Sequence, residues 1–454
     1  MSTIEQYLKE NEKQLLNQLF DLLRIPSISA KSEHKADMIK AAEYWKKTLL
    51  KVGIDHAEVC PTKGNPIVYG EKIIDPQAPT VLVYAHYDVM PAEPLDLWET
   101  QPFEPTIKDG KIYARGADDD KGQSFMHVAA IDFLIKNQLL KCNVKFMIEG
   151  EEEIGSPSMA QWCKDNKKRL AADVILVSDT GMIAPNIPSI TVGLRGLTYL
   201  QIEVTGPNRD LHSGIFGGAV ANPLNILCKM IASLQDENGH ITIPGYYDDV
   251  LEYTEEQRKL INQVPFDEEA YKNSLGVKEL WGEKGYTTIE RTGIRPSMDL
   301  CGIWGGYAGE GSKTVLPSKA YAKLSSRLVP YQNHEKIGQL LRNYLLSIAP
   351  KSVNVNVEIL HGGQPYVTPL NLPALESARK ALKSVYGKEA IPTMSGGSIP
   401  IISTFEQILG IKSVLMGFGL ESDAIHSPNE HFRLENFFNG IKSIVRFYEY
   451  FEKN

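Results

Sequence analysis

Residues 80–91, TVLVYAHYDVMP, constrain what this chain can fold into more than any other stretch. Val81, Leu82 and Val83 form an apolar run of the kind that fills a buried strand. The run ends abruptly in His86, Tyr87 and Asp88, and Pro91 closes it. A buried strand that finishes in polar, metal-capable side chains fits the place where open α/β sheets hold ligands, beyond the carboxyl ends of their strands. His86 and Asp88 are two apart, so on an extended strand they share a face. A histidine ligand beside a carboxylate that orients it is a common pairing at metal sites. The competing reading is a strand end with a capping Asp.

The rest of the chain supplies a frame for such a strand. Apolar spacing predicts helices over residues 4–23, stopping before Pro26, and over 36–52, closed by Gly53. Strands are expected at 56–60, 66–69, 80–85, 111–114, 143–148 and 173–177, with helices at 123–136 and 156–166. Strands alternating with helices indicate an α/β domain with a largely parallel mixed sheet flanked by helices. The pattern changes near Gly193: 197–205, LTYLQIEVT, alternates like a half-exposed strand, and a helix follows over 222–234. Residues 236–311 are polar and rich in Gly, Tyr and charge, and little secondary structure is legible there. Strands at 315–329 and 353–360 flank a helix at 336–346. That mix predicts an inserted α+β domain, after which a helix at 375–386, a strand at 411–416 and a helix at 435–451 return to the first.

Several strand-like runs end in carboxylates or histidine: His86 and Asp88, then Asp118, Asp119 and Asp120, then Glu151, Glu152 and Glu153, then Asp179, and finally His426. Taken singly, EGEEEIG reads as a solvated turn, DDDKG as a turn entering a helix, and His426 as a surface residue. A parallel sheet, however, brings strand ends to one edge. Carboxylates packed there repel one another and shift their pKa values unless cations neutralise them. A pair of divalent metals supplies that charge. Nitrogen and oxygen donors without thiolate suit Zn²⁺, Mn²⁺ or Co²⁺. Two ions about 3.5–4 Å apart, bridged by a carboxylate and a water, lower that water's pKa and polarise a carbonyl. A run of adjacent glutamates can supply both a ligand and a free general base.

Composition narrows the partners. At 454 residues, two domains are expected. The net charge of −8 argues against a nucleic-acid backbone. No apolar run approaches the roughly 20 residues that span a bilayer, and MSTIEQYLKENEKQLL lacks the pattern of a secretory signal. The five Cys are scattered and form no CxxC pair, as expected of reduced thiols in a cytoplasmic protein.

HYDVMP, ARGADDDKG, EGEEEIGS, SDT, LRG, DLHSG, TVLP, SGGSIP and AIHSPNE, in this order, resemble the co-catalytic dimetal peptidases of the carnosinase and aminoacylase type. The likeness is nearest to the cytosolic nonspecific dipeptidase branch and runs from about residue 10 onward. It implies a catalytic domain from residues 1–193 and 378–454 and a lid and dimerisation domain from 194–377. It implies two divalent ions per subunit, zinc or manganese with cobalt as a third option. His86 and Asp179 would hold one, Glu153 and His426 the other, and Asp119 would bridge them. Asp88 would orient His86, and Glu152 would be the general base for hydrolysis of a dipeptide or other short peptide by a metal-bridging hydroxide. A cis peptide would fall at Asp119–Asp120. His212 would reach across a homodimer to the partner's oxyanion, and Thr314, Arg327 and Ser398 would bind substrate, with Arg327 on its carboxylate. Arg195 reads as structural.

Two departures bear on substrate choice. Met394-Ser395 stands where relatives often carry Arg-Glu, and VTPLNLPALE lacks a second substrate-facing histidine. An amidohydrolase of N-acyl amino acids or a carboxypeptidase on the same fold is the alternative. A non-catalytic binding homologue predicts loss of Glu152, Asp119 or Asp88, and all three are present. GYAGEGSKT fails as a P-loop because Ser312 separates Gly311 from Lys313.

Overall fold

The computed structural model describes residues 3–396 and 399–451. It divides into two compact units, Met1–Val192 with Thr368–Thr393 and Thr404–Asn454, and Gly193–Val367 with Met394–Ser403.

The first unit is built on a mixed sheet. From one edge its strands run His56–Cys60, Ile67–Lys72, Asn143–Glu149, Thr80–His86, Val174–Val177, Ser413–Leu415 and Ser189–Leu194. Pairing is parallel only at the centre, from Asn143–Glu149 through Thr80–His86 and Val174–Val177 to Ser413–Leu415. Outside that core it turns antiparallel. Thr80–His86 is thus covered by a strand on either side, and every residue after Thr80 is buried. Its apolar run is what such a position requires. The parallel neighbours end together, which sets His86, Glu149 and the residues after Val177 along one edge.

The helices explain themselves by pattern. Lys121–Lys136 is buried from Lys121 to Leu134, its polar Lys121, Gln123, Ser124, His127 and Asp132 included. It packs against Leu434–Tyr450, whose Phe437, Ile441, Ile444 and Tyr448 follow helical spacing, and against Ile4–Leu23. Thr3 caps Ile4–Leu23 by accepting the Gln6 N–H. Lys35–Lys51 ends at Gly53, whose φ of 97° a side chain would resist. A small sheet pairs His431–Arg433 with Lys111–Tyr113 and that strand with Thr106–Lys108, and so ties the late AIHSPNE segment to ARGADDDKG.

The second unit carries an antiparallel sheet in the order Ser297–Gly305, Lys319–Leu328, Gly196–Thr205, Asn354–Gly363. Gly196–Thr205 alternates strictly between buried and half-buried residues, as its sequence predicts. Leu200, Ile202 and Val204 meet Ala320, Ala322 and Leu324 on one face, under Pro223–Ala232 and His334–Ile348. Two expectations change here. Residues 315–329 are two strands, Val315–Leu316 and Lys319–Leu328, separated at Pro317-Ser318, with the short one paired to Leu211–His212 instead of the main sheet. The stretch 236–311, unreadable in the sequence, holds the edge strand Ser297–Gly305 and the helices Glu255–Ile261, Glu268–Leu275 and Thr288–Gly293. Among the described residues, no helix is long and apolar enough to cross a membrane.

Candidate metal centre

His86 and Asp179 sit where a central strand ends, whereas Glu153 is in the turn after Asn143–Glu149, Asp119 is on the loop between Lys111–Tyr113 and Lys121–Lys136, and His426 is on the loop between Ser413–Leu415 and His431–Arg433. His86 is the last residue of Thr80–His86 and is fully buried. Its Nδ1 lies 3.1 Å from the Asp88 carbonyl oxygen and 3.5 Å from Asp88 Oδ1. Those acceptors place the ring proton on Nδ1 and leave a lone pair on Nε2. Nε2 faces Asp119 Oδ1 at 3.0 Å and Asp179 Oδ2 at 3.7 Å. His426, at φ 60°, approaches from the opposite side, with Nε2 2.9 Å from Asp119 Oδ2 and 3.1 Å from Glu153 Oε2. The donor atoms therefore form two groups, His86 with Asp119 and Asp179, and Asp119 with Glu153 and His426, each within 4.8 Å. Asp119 belongs to both and turns one oxygen to each imidazole.

Asp88 does more than orient His86. Its fully buried carboxylate accepts the Glu152 N–H at 3.1 Å and the Glu153 N–H at 3.0 Å. One side chain thereby couples the first strand end to the acidic turn. Glu152 belongs to neither donor group, and burial first, then the carboxylates of Asp119, Glu153 and Asp88, push it up to about 8. Burial and Asp119 likewise push Asp179 up. Asp119 goes the other way: burial opposes its ionisation, but His426 and His86 hold it below the usual carboxylate range. Asp119 and Glu153 in turn push His426 up to about 10.

These residues fit a pair of divalent ions. His86 Nε2 is buried without a hydrogen-bond partner among the described residues, although Asp119 Oδ1 is 3.0 Å away. A buried imidazole nitrogen facing two carboxylate oxygens needs a positive charge between them, which a metal ion can supply. Nitrogen and oxygen donors without sulfur suit zinc, manganese or cobalt.

Sequence reasoning missed Glu430, which holds the Asp119 loop in place. Its buried carboxylate accepts Arg115 Nη1 at 2.7 Å and the N–H groups of Gly116 at 3.0 Å, Asp118 at 3.1 Å and Asp119 at 3.1 Å. The sequence signal was there, in the carboxylate of SPNEH four residues beyond His426. The Asp119–Asp120 peptide is cis, where the family resemblance puts it. Asp120 Oδ2 accepts the His86 N–H at 3.1 Å and the Ser124 hydroxyl.

The remaining candidates lie in the second unit. His212 is exposed and caps Ser213–Phe216, its Nδ1 accepting the Gly214 N–H at 3.0 Å. Thr314 is exposed, and its carbonyl accepts the Ser213 N–H. Arg327 is half-buried on Lys319–Leu328, opposite Leu197 and Ser297. Ser398 lies outside the described residues. Arg195 is structural: its guanidinium donates to the carbonyls of Thr292 and Arg295 and to Ser297 Oγ.

Residues 82–450 match the model of Peptidase family M20/M25/M40. The chain belongs to that family.

Among its relatives, a Beta-Ala-His dipeptidase of Homo sapiens is 34% identical over 84% of this chain and 77% of its own. A Cys-Gly metallodipeptidase of Saccharomyces cerevisiae is 30% identical over 100% of this chain and 98% of its own. The crystal structure of an M20 family metallo-carboxypeptidase from Sulfolobus solfataricus superposes with a TM-score of 0.87 at 36% identity, covering 96% of this chain and 98% of that one. The protein is an M20 metallopeptidase of α/β class, with a mixed sheet flanked by helices and an inserted α+β domain.

Proposed function

We propose that this M20 peptidase is a dipeptidase that works with two divalent ions, zinc or manganese. His86 and Asp179 would hold one, Glu153 and His426 the other, and Asp119 would serve both. The observation that carries this reading is Asp119 itself, with Oδ1 3.0 Å from one imidazole and Oδ2 2.9 Å from the other, while Glu152 is left out of both groups.

When bound, such a pair of ions acidifies a water and polarises the scissile carbonyl. Glu152 takes a proton from the attacking water and returns it to the leaving amine nitrogen as the C–N bond breaks. Asp88 keeps His86 in one tautomer and fixes the backbone of Glu152 and Glu153, so ligand and base move as one piece. In the second unit, the proton of neutral His212 sits on Nε2, because Nδ1 is an acceptor. That makes His212 a donor suited to a developing oxyanion, supplied across a homodimer to the partner's site. Thr314, Arg327 and Ser398 bind the substrate, with Arg327 on its terminal carboxylate. The first unit is the catalytic domain and the second the lid and dimerisation domain. The five unpaired cysteines fit a cytoplasmic location.

A carboxypeptidase reading is favoured by one observation, the 36% identity to a metallo-carboxypeptidase. The two readings differ at the substrate's amino end. Metal-stripped protein reloaded with Mn²⁺ or Zn²⁺ is to be given free dipeptides, tripeptides, N-blocked peptides and N-acetyl amino acids. Cleavage confined to free dipeptides, lost on chelation, is expected. Efficient cleavage of N-blocked peptides would sink the dipeptidase assignment and leave the metal site standing. Glu152→Gln should cost about 10²- to 10⁴-fold in kcat.

A further inference from the structure

Asp179, like Asp119, is held through its backbone. Among the described residues its carboxylate accepts no hydrogen bond, and His86 Nε2 stands 3.7 Å away. Its backbone is gripped on both flanks instead. On one side Ser178 Oγ donates to the Met416 carbonyl at 2.9 Å and lies 2.8 Å from His127 Nε2. The single hydroxyl proton is committed to Met416, so Ser178 Oγ accepts from His127, which carries its proton on Nε2. On the other side Gln123 Nε2 donates to the Thr180 carbonyl at 3.2 Å, while Gln123 Oε1 accepts the Phe418 N–H at 2.7 Å. Gln123 and His127 are four apart on Lys121–Lys136 and therefore on one face. Both are buried, Gln123 at 2% and His127 at 1% exposure. Gln123 joins the residues after Val174–Val177 directly to those after Ser413–Leu415, and His127 is linked to the latter through Ser178.

We infer that Gln123 and His127 are positioning residues that set the place of Asp179 by clamping Ser178 and Thr180 on either side of it. This rests on the reading that Asp179 is a metal ligand. A ligand whose own carboxylate lacks protein donors depends on its backbone for preorganisation, and loss of such outer support typically costs 10- to 100-fold in metal affinity. A buried imidazole and a buried amide are also poor apolar packing. Their retention here has a reason only if the bonds they make do something an aliphatic side chain would not.

The test is calorimetric titration of the metal-stripped full chain with Mn²⁺, with circular dichroism to confirm folding. The unaltered protein should take up two ions. His127→Phe keeps the ring volume and removes the donor; one of the two ions should bind about 10- to 100-fold more weakly and the other unchanged. His127→Gln, which restores an N–H toward Ser178, should recover part of the loss. Gln123→Met should weaken the same ion. If His127→Phe does not fold, Ser178→Ala cuts the same link from the loop and decides the question. Unchanged affinity for both ions in folded variants overturns the inference, and so does an equal loss at both, which would mean general loosening. Uptake of fewer than two ions by the unaltered protein would instead overturn the dimetal reading beneath it.

Discussion

His86 and His212 are both marked by the sequence, yet they sit in opposite circumstances. His86 is fully buried, its tautomer fixed by Asp88, its free nitrogen aimed at two carboxylates. His212 is exposed on a two-residue strand, where its visible task is to cap one short turn. The first histidine needs nothing beyond its own unit to explain it. The catalytic role proposed for the second belongs to a partner copy. The contrast teaches that the metal centre is a property of one folded unit, whereas completion of the active site is proposed to be a property of the assembly.

The sharpest way to break this comparison is to remove the shared carboxylate. Asp119→Ala should abolish turnover and uptake of both ions; retention of one full-affinity ion would show that the centres are not joined through Asp119. Next comes the support behind it. Arg115 and Glu430 are both about 1% exposed, so Glu430→Gln leaves a buried guanidinium without its counter-charge. A loss of about 3–5 kcal/mol is expected in chemical denaturation, and a loss below 1 kcal/mol would mean Glu430 is not the anchor of the loop. His212→Ala should lower kcat by about 10²- to 10³-fold with both ions still bound. Mixed dimers of His212→Ala with Glu152→Gln should regain activity, because one site then has both groups. Failure to complement, in dimers shown to exchange subunits, would confine His212 to its own protomer or to capping.

The smallest effect concerns the second unit alone. Arg258 forms a two-pronged contact with the buried Glu290, at 2.6 and 2.8 Å, which with the Thr287 cap holds Glu290 down at about 2. A carboxylate depressed in the folded state stabilises above its ordinary pKa and loses that contribution as pH falls toward its folded value. Thermal stability should therefore drop between about pH 4.5 and 2, by on the order of 1 kcal/mol once solvent screening of the half-exposed Arg258 is allowed for. Arg258→Leu should flatten that fall; an unchanged profile would assign the acid sensitivity to other carboxylates.

The same contrast governs what could be read from residues alone. Long elements with one clear period were legible, such as Ile4–Leu23 and Gly196–Thr205, because burial on one face demands that period wherever the element lies. The edge strand Ser297–Gly305 was not, since a bulge between Leu300 and Gly302 breaks its alternation. Residues 315–329 read as one strand because strand-like residues stand on both sides of Pro317-Ser318, and only the pairing of Val315–Leu316 with Leu211–His212 shows that the short piece lies outside the main sheet.

For the candidate site, the sequence by itself determined that His86 and Asp179 close buried strands and that carboxylates gather near them, whereas Asp119 and His426 lie on loops that only the fold brings to the same edge. The first part follows from local pattern and charge repulsion. Only the tertiary structure decided that Asp119 gives one oxygen to each histidine, that Asp88 also holds the Glu152–Glu153 backbone, and that Glu430, Gln123 and His127 fix the loops around them. Those are contacts between residues tens to hundreds of positions apart, and no periodicity encodes them. They exist because folding buries polar groups that must then find partners, and the partners are whatever the topology brings within reach.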